Sequence, residues 1–241
     1  MPSPHPRLTA RSVVLSMLLG AHPAWASSAE LVRLAAEFGI KETTLRVALT
    51  RMVSAGDLIR SADGYRLATR LLARQRRQDE ALDPRGRAWS GQWTTLVITS
   101  VGNGARTRAA LRTALQHGRF GELREGVWLR PDNLQTTLDD ATLRQLRVLT
   151  ARDDDPAELA GRLWDLPGWA QQGEEILASM THAPDLPARF TAAAAAVRHL
   201  LADPVLPDEL LPAHWPGSRL RAAYREFAAE FGGRRALPLE A

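Results

Sequence analysis

The first fifty residues carry apolar side chains at helical spacing and predict three short helices. In TARSVVLSMLLG, Thr9 is placed to cap a helix whose apolar positions recur every three or four residues. In SSAELVRLAAEFG, Ser27 and Glu30 have the spacing of a capping box, and Gly39 follows the last apolar position, where a left-handed residue commonly ends a helix. Because only Gly39 and Ile40 separate the second helix from the third, the spacing indicates a helix-turn-helix.

The third predicted helix, residues 41–54, has an apolar side and a polar side. At about 100° per residue, Leu45, Leu49 and Met52 fall together and must face the first two helices. The polar side and its flanks carry the residues that we expect to contact DNA: Lys41, Thr43, Thr44, Arg46, Val47, Thr50 and Arg51. Arginine can donate two hydrogen bonds to guanine, and threonine can contact phosphate or the thymine methyl group. This side is therefore predicted to lie in a major groove, with Glu42 serving the helix dipole at the amino end.

A hairpin is predicted directly after the third helix. The segments LIRSA and YRLA flank Asp63-Gly64, a dipeptide that favours a tight turn with positive φ at both central positions. A hairpin in this place is the wing of a winged helix, and Arg60 and Arg66 would project from it toward phosphate or the minor groove. A surface hairpin without any partner is the alternative interpretation.

Strands and helices alternate beyond residue 88. WSGQWTTLVITS predicts a strand, ARTRAALRTALQHG a helix and FGELREGVWLRP a second strand that ends at Pro131, and a further helix and strand follow. This order suggests a small ferredoxin-like α+β domain. From Asp153 the chain is predicted to be helical, with Asp155 as a cap and Pro156 at the first helical position.

These elements place the chain in the α+β class, mostly helical, and divide it into four parts. The predicted parts are an N-terminal winged helix-turn-helix domain (8–68), a linker helix (69–88), a middle ferredoxin-like α+β domain (89–152) and a C-terminal helical domain (153–241). The linker helix is strongly basic, and its charge is interpreted as a solvated surface. Phosphate contacts by its arginines are the alternative; these are Arg70, Arg74, Arg76 and Arg77.

Composition narrows the class of protein. Of the 241 residues, 45% are hydrophobic and 24% are charged, which is typical of a soluble globular protein. The absence of cysteine excludes disulfides, thiol catalysis and cysteine-bound zinc. The apolar segment Ser12–Gly20 is too short to span a membrane and is interpreted as a core helix rather than an export signal. We therefore expect a cytoplasmic protein with no membrane partner.

Basic residues are concentrated at the start of the chain. Residues 1–77 hold twelve basic and five acidic side chains, a net charge of +7, whereas residues 78–241 hold nineteen and twenty-two, a net charge of −3. Such an asymmetry is typical of a nucleic-acid-binding part attached to another domain. A scattered, solvated surface is the alternative interpretation.

Three blocks of the sequence resemble the PaaX family, bacterial repressors of aromatic-acid catabolism. The first block has an apolar helix, the turn Phe38-Gly39-Ile40, and then Leu45, Arg46 and Arg51. The second has the Trp-Gly-Trp pattern at Trp89, Gly91 and Trp93, followed by GRFGELREGVW. The third is the proline-rich ADPVLPDELLPAHWPG before the last helix. The chain departs from the family at Lys41, where a small polar cap is usual, and at Gly173 and Ile176, where aromatic residues are usual.

The resemblance implies a homodimeric repressor that binds double-stranded operator DNA and a small-molecule effector. Effectors of such repressors are aryl-acyl-CoA thioesters such as phenylacetyl-CoA, which lower the affinity for the operator. Arg106, Arg108 and Arg198 are candidate anchors for the phosphate or carboxylate of an effector, with ordinary surface arginines as the alternative. No cofactor and no metal are expected.

An enzyme and a structural DNA-binding protein without an effector are the alternative functions. Ferredoxin-like metal-dependent nucleases need an acid at the end of the first strand, and here that strand ends ITSVGN, without a carboxylate. The motifs of serine hydrolases, zinc proteases and P-loop proteins do not occur, and the six histidines lack the spacing of a helical metal pair. We therefore expect no catalytic residues. Tight binding of an acyl-CoA would eliminate the effector-less alternative.

Overall fold

The chain forms two compact units, each of which combines segments that are distant in the sequence. The computed structural model describes residues 8–100, 104–135 and 138–235. The first unit is built from the chain up to Asp83, from Gly173–Leu201 and from the chain beyond Gly217. The second unit is built from Pro84–Gln172 and Ala202–Pro216.

The fold is α+β and mostly helical, as predicted. The amino-terminal elements are α1 (Ala10–Leu19), β1 (Trp25–Ser27), α2 (Ser28–Glu37), α3 (Glu42–Ser54), β2 (Leu58–Arg60), β3 (Gly64–Leu67) and α4 (Thr69–Leu82). The middle elements are β4 (Trp93–Ile98), α5 (Ala105–His117), β5 (Gly121–Arg124), β6 (Val127–Pro131), α6 (Asp140–Leu143) and β7 (Leu146–Ala151). The remaining elements are α7 (Pro156–Leu163), α8 (Leu166–Thr181), α9 (Leu186–Leu201), a 3-10 turn (Asp208–Leu210) and α10 (Gly217–Arg235).

The three predicted amino-terminal helices are present and enclose a core in the first unit. Thr9 caps α1, because its hydroxyl accepts a hydrogen bond from the Ser12 N–H at 3.1 Å and its own N–H donates to the Ser12 hydroxyl at 3.0 Å. Val13 and Leu18 are fully buried. The apolar segment near the start of the chain is therefore a core helix, as interpreted.

The capping box predicted at the start of α2 forms only in part. The Ser27 hydroxyl accepts a hydrogen bond from the Glu30 N–H at 3.1 Å. The Glu30 carboxylate instead accepts from the Arg235 guanidinium, at the end of α10. A local motif is thus replaced by a contact between α2 and the last helix of the same unit, which the sequence pattern alone does not indicate.

The hairpin after α3 is present, but the reason for its glycine differs from the prediction. Neither Asp63 nor Gly64 has a left-handed backbone, and the chain turns through a longer loop before β3 starts at Gly64. The strand β1, which was not predicted, pairs with β3 and brings Ser27 opposite Gly64. A Cβ at Gly64 would lie 2.1 Å from the Ala26 carbonyl oxygen, so glycine is required by close backbone approach.

Helix α4 contributes to the core of the first unit. It packs against α1 and α9, and Gln75, Gln78 and Ala81 are its buried residues. The Gln75 amide donates to the carbonyl oxygens of Leu19 at 3.2 Å and Ala21 at 2.7 Å, which satisfies the carboxyl end of α1. The predicted domain boundaries stay a prediction, but residues 69–82 are an integral part of this unit.

The second unit contains a four-stranded antiparallel sheet in the order β5-β6-β4-β7. With α5 after the first strand and α6 before the last, this is the strand order of a ferredoxin-like domain. The prediction of a single strand ending at Pro131 is wrong, because residues 121–131 form a hairpin, β5–β6. Its turn contains Gly126 at φ +78°, in the left-handed region that glycine favours.

The two faces of this sheet are covered by different elements. On one face, Leu96 and Trp128 pack with Leu111 and Leu115 of α5. On the other face, the fully buried Trp93 packs with residues of α7 and of the proline-rich segment 206–215. Tryptophan contacts continue this second core: Trp89 lies edge-on to Trp93 at 6.1 Å, and Trp164 is stacked on Trp93 at 6.5 Å. Trp93 is thus a core residue, and Trp89 and Trp164 are partly buried against it.

Candidate nucleic-acid interface

Helix α3 is held by its apolar side and presents its polar side outward. Leu45, Leu49 and Met52 are buried in the three-helix core, as the helical wheel predicts. The turn before α3 depends on Gly39, whose φ of +66° lets its N–H and that of Ile40 bond to carbonyls at the end of α2 at 2.9 and 3.0 Å. The short turn therefore fixes α3 across α1 and α2 in the arrangement of a helix-turn-helix.

All nine residues predicted to contact DNA are exposed in the first unit. Val47, the most apolar of them, is 51% exposed. Seven lie on α3 or at its start, and two lie in the hairpin: Lys41, Thr43, Thr44, Arg46, Val47, Thr50 and Arg51, with Arg60 and Arg66. Their exposure makes them available to a partner, while their binding to DNA stays a prediction.

The side chain of Arg46 forms an ion pair with Glu42, which the helical wheel alone did not indicate. Its Nε donates to the Glu42 carboxylate at 2.8 Å, and a second guanidinium nitrogen contacts the same oxygen. Glu42 therefore pairs with Arg46 in addition to lying in the first turn of the helix. The four-residue spacing of the two residues in the sequence could have predicted this ion pair. The Thr50 hydroxyl donates to the Arg46 carbonyl oxygen at 3.0 Å, which leaves it free to accept from a ligand.

The amino end of α3 has no side-chain cap. Lys41 occupies the capping position, and its side chain makes no capping hydrogen bond. This agrees with the departure from the family pattern seen in the sequence. The Lys41 ammonium group is exposed beside the first turn, where backbone N–H groups of a helix favour anions such as phosphate.

The two wing arginines lie on opposite faces of the hairpin. Residues that are directly opposite in an antiparallel pair share a face. Arg60 is opposite Tyr65, whereas Arg66 is opposite both Ile59 and Trp25. The structure therefore does not bring Arg60 and Arg66 together, and they cannot reach the same phosphate from one side of the wing.

A buried carboxylate joins α3 to two other helices. Asp57, directly before β2 in the loop that follows α3, is 2% exposed and pairs with Arg11 of α1 at 2.9 Å and with Arg70 of α4. Arg70 also donates to the Gly56 and Ala55 carbonyl oxygens at 2.8 and 3.1 Å. Arg70, one of the alternative phosphate contacts, is therefore engaged within the protein, and nothing in the local sequence pattern indicates this network.

An open groove of about 630 Å³ runs beside the polar side of α3. One wall is formed by α3, with Thr43, Val47 and Arg51, and the other by the start of α1, with Thr9 and Arg11. The predicted DNA-binding surface thus continues from α3 to the amino end of α1. Residues of α1 were not predicted to contribute to this surface.

The three candidate effector anchors are distributed over both units. Arg106 and Arg108 are exposed on α5 in the second unit, and Arg198 is exposed on α9 in the first. Arg108 lines a groove of about 380 Å³ in which Arg112 pairs with Glu122 and lies over the Trp128 ring at 5.3 Å. Their role in effector binding stays a prediction.

Neither a metal-binding cluster nor a membrane-spanning helix occurs in the part of the chain that the structure describes. In residues 8–100, 104–135 and 138–235, no three histidine or acidic side chains lie close enough together to hold a metal ion. None of the helices in the same ranges is long and apolar enough to cross a membrane. The segment ITSVGN carries no acid at the end of the first predicted ferredoxin-like strand. Strand β4 ends at Ile98, and Val101–Asn103 of that segment lie outside the described residues.

Comparisons with known proteins agree with this architecture. The family model described as PaaX-like protein matches residues 9–71, that of the PaaX protein central Cas2-like domain matches residues 86–155, and that of the PaaX-like protein C-terminal domain matches residues 169–236. Among solved structures, "Uncharacterized protein Rv0674 from Mycobacterium tuberculosis" is 67% identical with a TM-score of 0.85, and the match covers 94% of this chain and 97% of that chain. No curated protein sequence matches the chain.

The first family model falls on the winged helix and the second on the ferredoxin-like sheet. The third begins within α8 and extends through α10. The three matches thus cover most of the chain, in the order that the sequence resemblance indicated. The chain belongs to the PaaX family, whose members are transcriptional regulators rather than enzymes.

Proposed function

We propose that the protein is a homodimeric transcriptional repressor that binds operator DNA through the winged helix of its first unit. The exposed polar side of α3 carries this proposal, because Leu45 and Leu49 anchor the helix while its arginines and threonines point away from the core. Family membership and the net positive charge of residues 1–77 support the same function.

We propose that different residues contact the bases and the phosphates. Arg46 and Arg51 can each place a guanidinium fork on guanine, and Thr43 and Thr50 can contact bases or the backbone. Arg60 and Arg66 of the wing supply phosphate contacts, which add affinity through counterion release without reading sequence. In a dimer, two such surfaces would occupy the two halves of an inverted repeat.

Regulation is proposed to follow the pattern of the family. The protein would repress, in the cytoplasm, an operon for aromatic-acid or acyl-CoA catabolism, and an aryl-acyl-CoA such as phenylacetyl-CoA would release it from the operator. The effector must bind one conformation of the dimer better than the other, because a ligand with equal affinity for both shifts nothing.

Selection of duplexes from a random DNA library by the full-length protein tests the proposed function. We expect enrichment of an inverted repeat, because specific regulators bind their sites about 10³-fold or more tightly than random DNA. Affinities for the enriched and a scrambled duplex are then compared at one salt concentration. A variant with Arg225→Ala, an exposed position on α10, serves as a control. Equal affinity for all duplexes would contradict sequence-specific regulation.

A further inference from the structure

Two adjoining cavities lie between α1, α4, α9 and α10 of the first unit. The larger, of about 420 Å³, is lined by aromatic side chains and is called the aromatic cavity; its aromatic residues are Trp25, Phe190, Tyr224, Phe227 and Phe231. The smaller, of about 70 Å³, is lined by Arg74 and Arg198 and is called the arginine cavity. The two cavities share the lining residues Ser16, Phe190, Tyr224 and Phe227. They are therefore adjacent parts of one site.

The aromatic cavity has walls suited to a flat apolar group. The Phe227 and Phe231 rings are stacked with centroids 5.7 Å apart and an interplanar angle of 18°. Phe190 stands edge-on to Phe227 at 6.1 Å. Because these rings pack against one another on the buried side, their positions are fixed before any ligand enters. The combined cavity volume is in the range of small-molecule sites.

The arginine cavity is lined by two arginines that have no acidic partner among the described residues. Within the part of the chain that the structure describes, neither Arg74 of α4 nor Arg198 of α9 makes an ion pair, and no acidic side chain lines the cavity. Other arginines of the same unit are paired, such as Arg189 with Glu230 and Arg219 with Glu174. Both side chains are exposed and line the same small cavity, so an anion there could accept hydrogen bonds from both guanidinium groups.

One neutral polar group at the same cavity also lacks a partner. Gln78 is 9% exposed, and its amide oxygen is buried without a hydrogen bond. Tyr224 lines the same cavity, and burial, with the charge of Asp79, raises the pKa of its hydroxyl. The hydroxyl is therefore protonated at neutral pH and can donate. Buried polar groups are normally paired, which indicates that a ligand or solvent partner belongs at this position.

We propose that this site binds a small ligand in which an aromatic ring is joined to an anionic group. The ring would occupy the aromatic cavity, and the anionic group would lie between Arg74 and Arg198, with the Tyr224 hydroxyl as a further donor; the Gln78 amide oxygen would accept from a donor group of the ligand or from water. The inference rests on the proposed function, because it assigns a location to the effector. A free aromatic carboxylate and the CoA thioester of such an acid share this chemistry.

The position of the site connects ligand binding to the DNA-binding surface. Ser16 and Met17 of α1 line the aromatic cavity, and α1 also packs against α3. A ligand held between α1 and the helices α9 and α10 would therefore favour one packing of α1 over another. Because α3 rests on α1, the preferred packing would change the presentation of the polar side of α3.

Isothermal titration calorimetry on the full-length protein tests the site, with phenylacetate, phenylacetyl-CoA and coenzyme A as probes. We expect Arg198→Ala to weaken binding of the preferred probe about ten-fold or more, the size of a lost charged hydrogen bond. Arg225→Ala removes an exposed arginine of α10 that lines neither cavity and should leave affinity unchanged. Binding of phenylacetate alone identifies the free acid as the ligand, and binding of the thioester only identifies the CoA derivative.

A second variant fills the cavity without removing a charge. Gly232 lines the aromatic cavity, and a Cβ at this position meets no heavy atom within 4 Å. Gly232→Leu should therefore block the ligand, while the melting temperature stays the same or rises because leucine is a better helix former than glycine. This variant separates loss of binding from loss of folding.

The proposal is overturned if wild-type protein binds none of the three probes, or if Arg198→Ala and Gly232→Leu both bind with wild-type affinity. A parallel mobility-shift titration distinguishes this failure from failure of the proposed function. Specific DNA binding without ligand binding would reject the site and leave the regulator in place. Ligand binding that both variants weaken, in a protein without sequence-specific DNA binding, would support the site and contradict the regulatory function.

Discussion

Arg46 would have to exchange one partner for another in order to bind a base. In the free protein its guanidinium pairs with the Glu42 carboxylate, and the two side chains are 73% and 48% exposed. Exposed pairs at this spacing contribute about 0.3–0.5 kcal/mol, whereas a bidentate contact between arginine and guanine discriminates by about 1–3 kcal/mol. The pair therefore orders Arg46 on the surface of α3 and does not prevent its use on DNA.

Replacing Arg46 with alanine should affect specific binding more than random binding. We expect Arg46→Ala to weaken binding to the operator by about 1–3 kcal/mol, with a smaller effect on a random duplex, because a lost base contact is lost only at the specific site. Mobility-shift titrations on both duplexes at one salt concentration measure the difference. An equal loss on both would mean that Arg46 contacts phosphate only.

Substitution of Gly64 tests how closely β1 and β3 of the wing approach each other. Because a Cβ would lie 2.1 Å from the Ala26 carbonyl oxygen and 2.8 Å from the Ser27 Cα, Gly64→Ala must push β1 and β3 apart. We expect a loss of about 1–3 kcal/mol in the free energy of unfolding, measured with urea. Gly232→Ala, at an open position of α10, is the control and should not destabilise the protein. Unchanged stability in both variants would contradict the close approach.

The wing carries one arginine on each of its two faces. Arg60 shares its face with Tyr65, and Arg66 shares the other face with Ile59 and Trp25. A wing that enters the minor groove has one sugar–phosphate backbone on each side. Arginines on opposite faces are therefore suited to different backbones.

The dependence of affinity on salt measures these two contacts. Each of Arg60→Ala and Arg66→Ala should weaken binding to all duplexes similarly and lower the slope of log affinity against log salt concentration by about 1. The double variant should lower this slope by about 2, because the two contacts are independent. If the double variant loses no more than either single variant, both side chains contact the same phosphate.

Local patterns predicted the elements better than their register. Helices α1, α2 and α3 were predictable because their apolar spacing and the turn at Gly39 are local signals. Strand β1 has only three residues, and its pairing partner, β3, is nearly forty residues away, so no local alternation indicates it. The hairpin β5–β6 could have been predicted from Gly126, which has the φ of +78° that its turn needs.

At the scale of the whole molecule, DNA binding is expected to depend on dimer geometry. A dimer places its two α3 helices at a fixed separation, so the two halves of the operator must present their major grooves on the same side of the duplex. The charge asymmetry of the chain favours contact through the first 77 residues of each copy.

Changing the spacing of the operator tests this geometry. Insertion of about 5 base pairs between the half-sites should abolish tight binding by turning one half-site to the opposite side of the helix, and insertion of about 10 should restore part of it. Binding to the two duplexes with insertions and to the original operator, as the control, is measured by mobility shift. A protein that binds all three equally would be reading each half-site as a monomer.

The assembly of the first unit was the least predictable feature. The sequence separates residues 8–68 from the rest because the composition and the pattern change there. In the structure, Arg235 of α10 contacts Glu30 and the Trp25 carbonyl oxygen, and Phe38 lies 4.9 Å from the Phe190 ring. Such contacts join positions about 150 to 210 residues apart, and neither helical spacing nor turn chemistry carries information on them.

This arrangement has a consequence for synthesis on the ribosome. Because α9 and α10 complete the unit that contains α3, a nascent chain holds an unfinished DNA-binding head until its last helix has emerged. Products of interrupted translation would lack the helices that cover α1, α2 and α4, and we expect them to be degraded rather than to compete for the operator. Only finished chains would then enter the pool of active regulator.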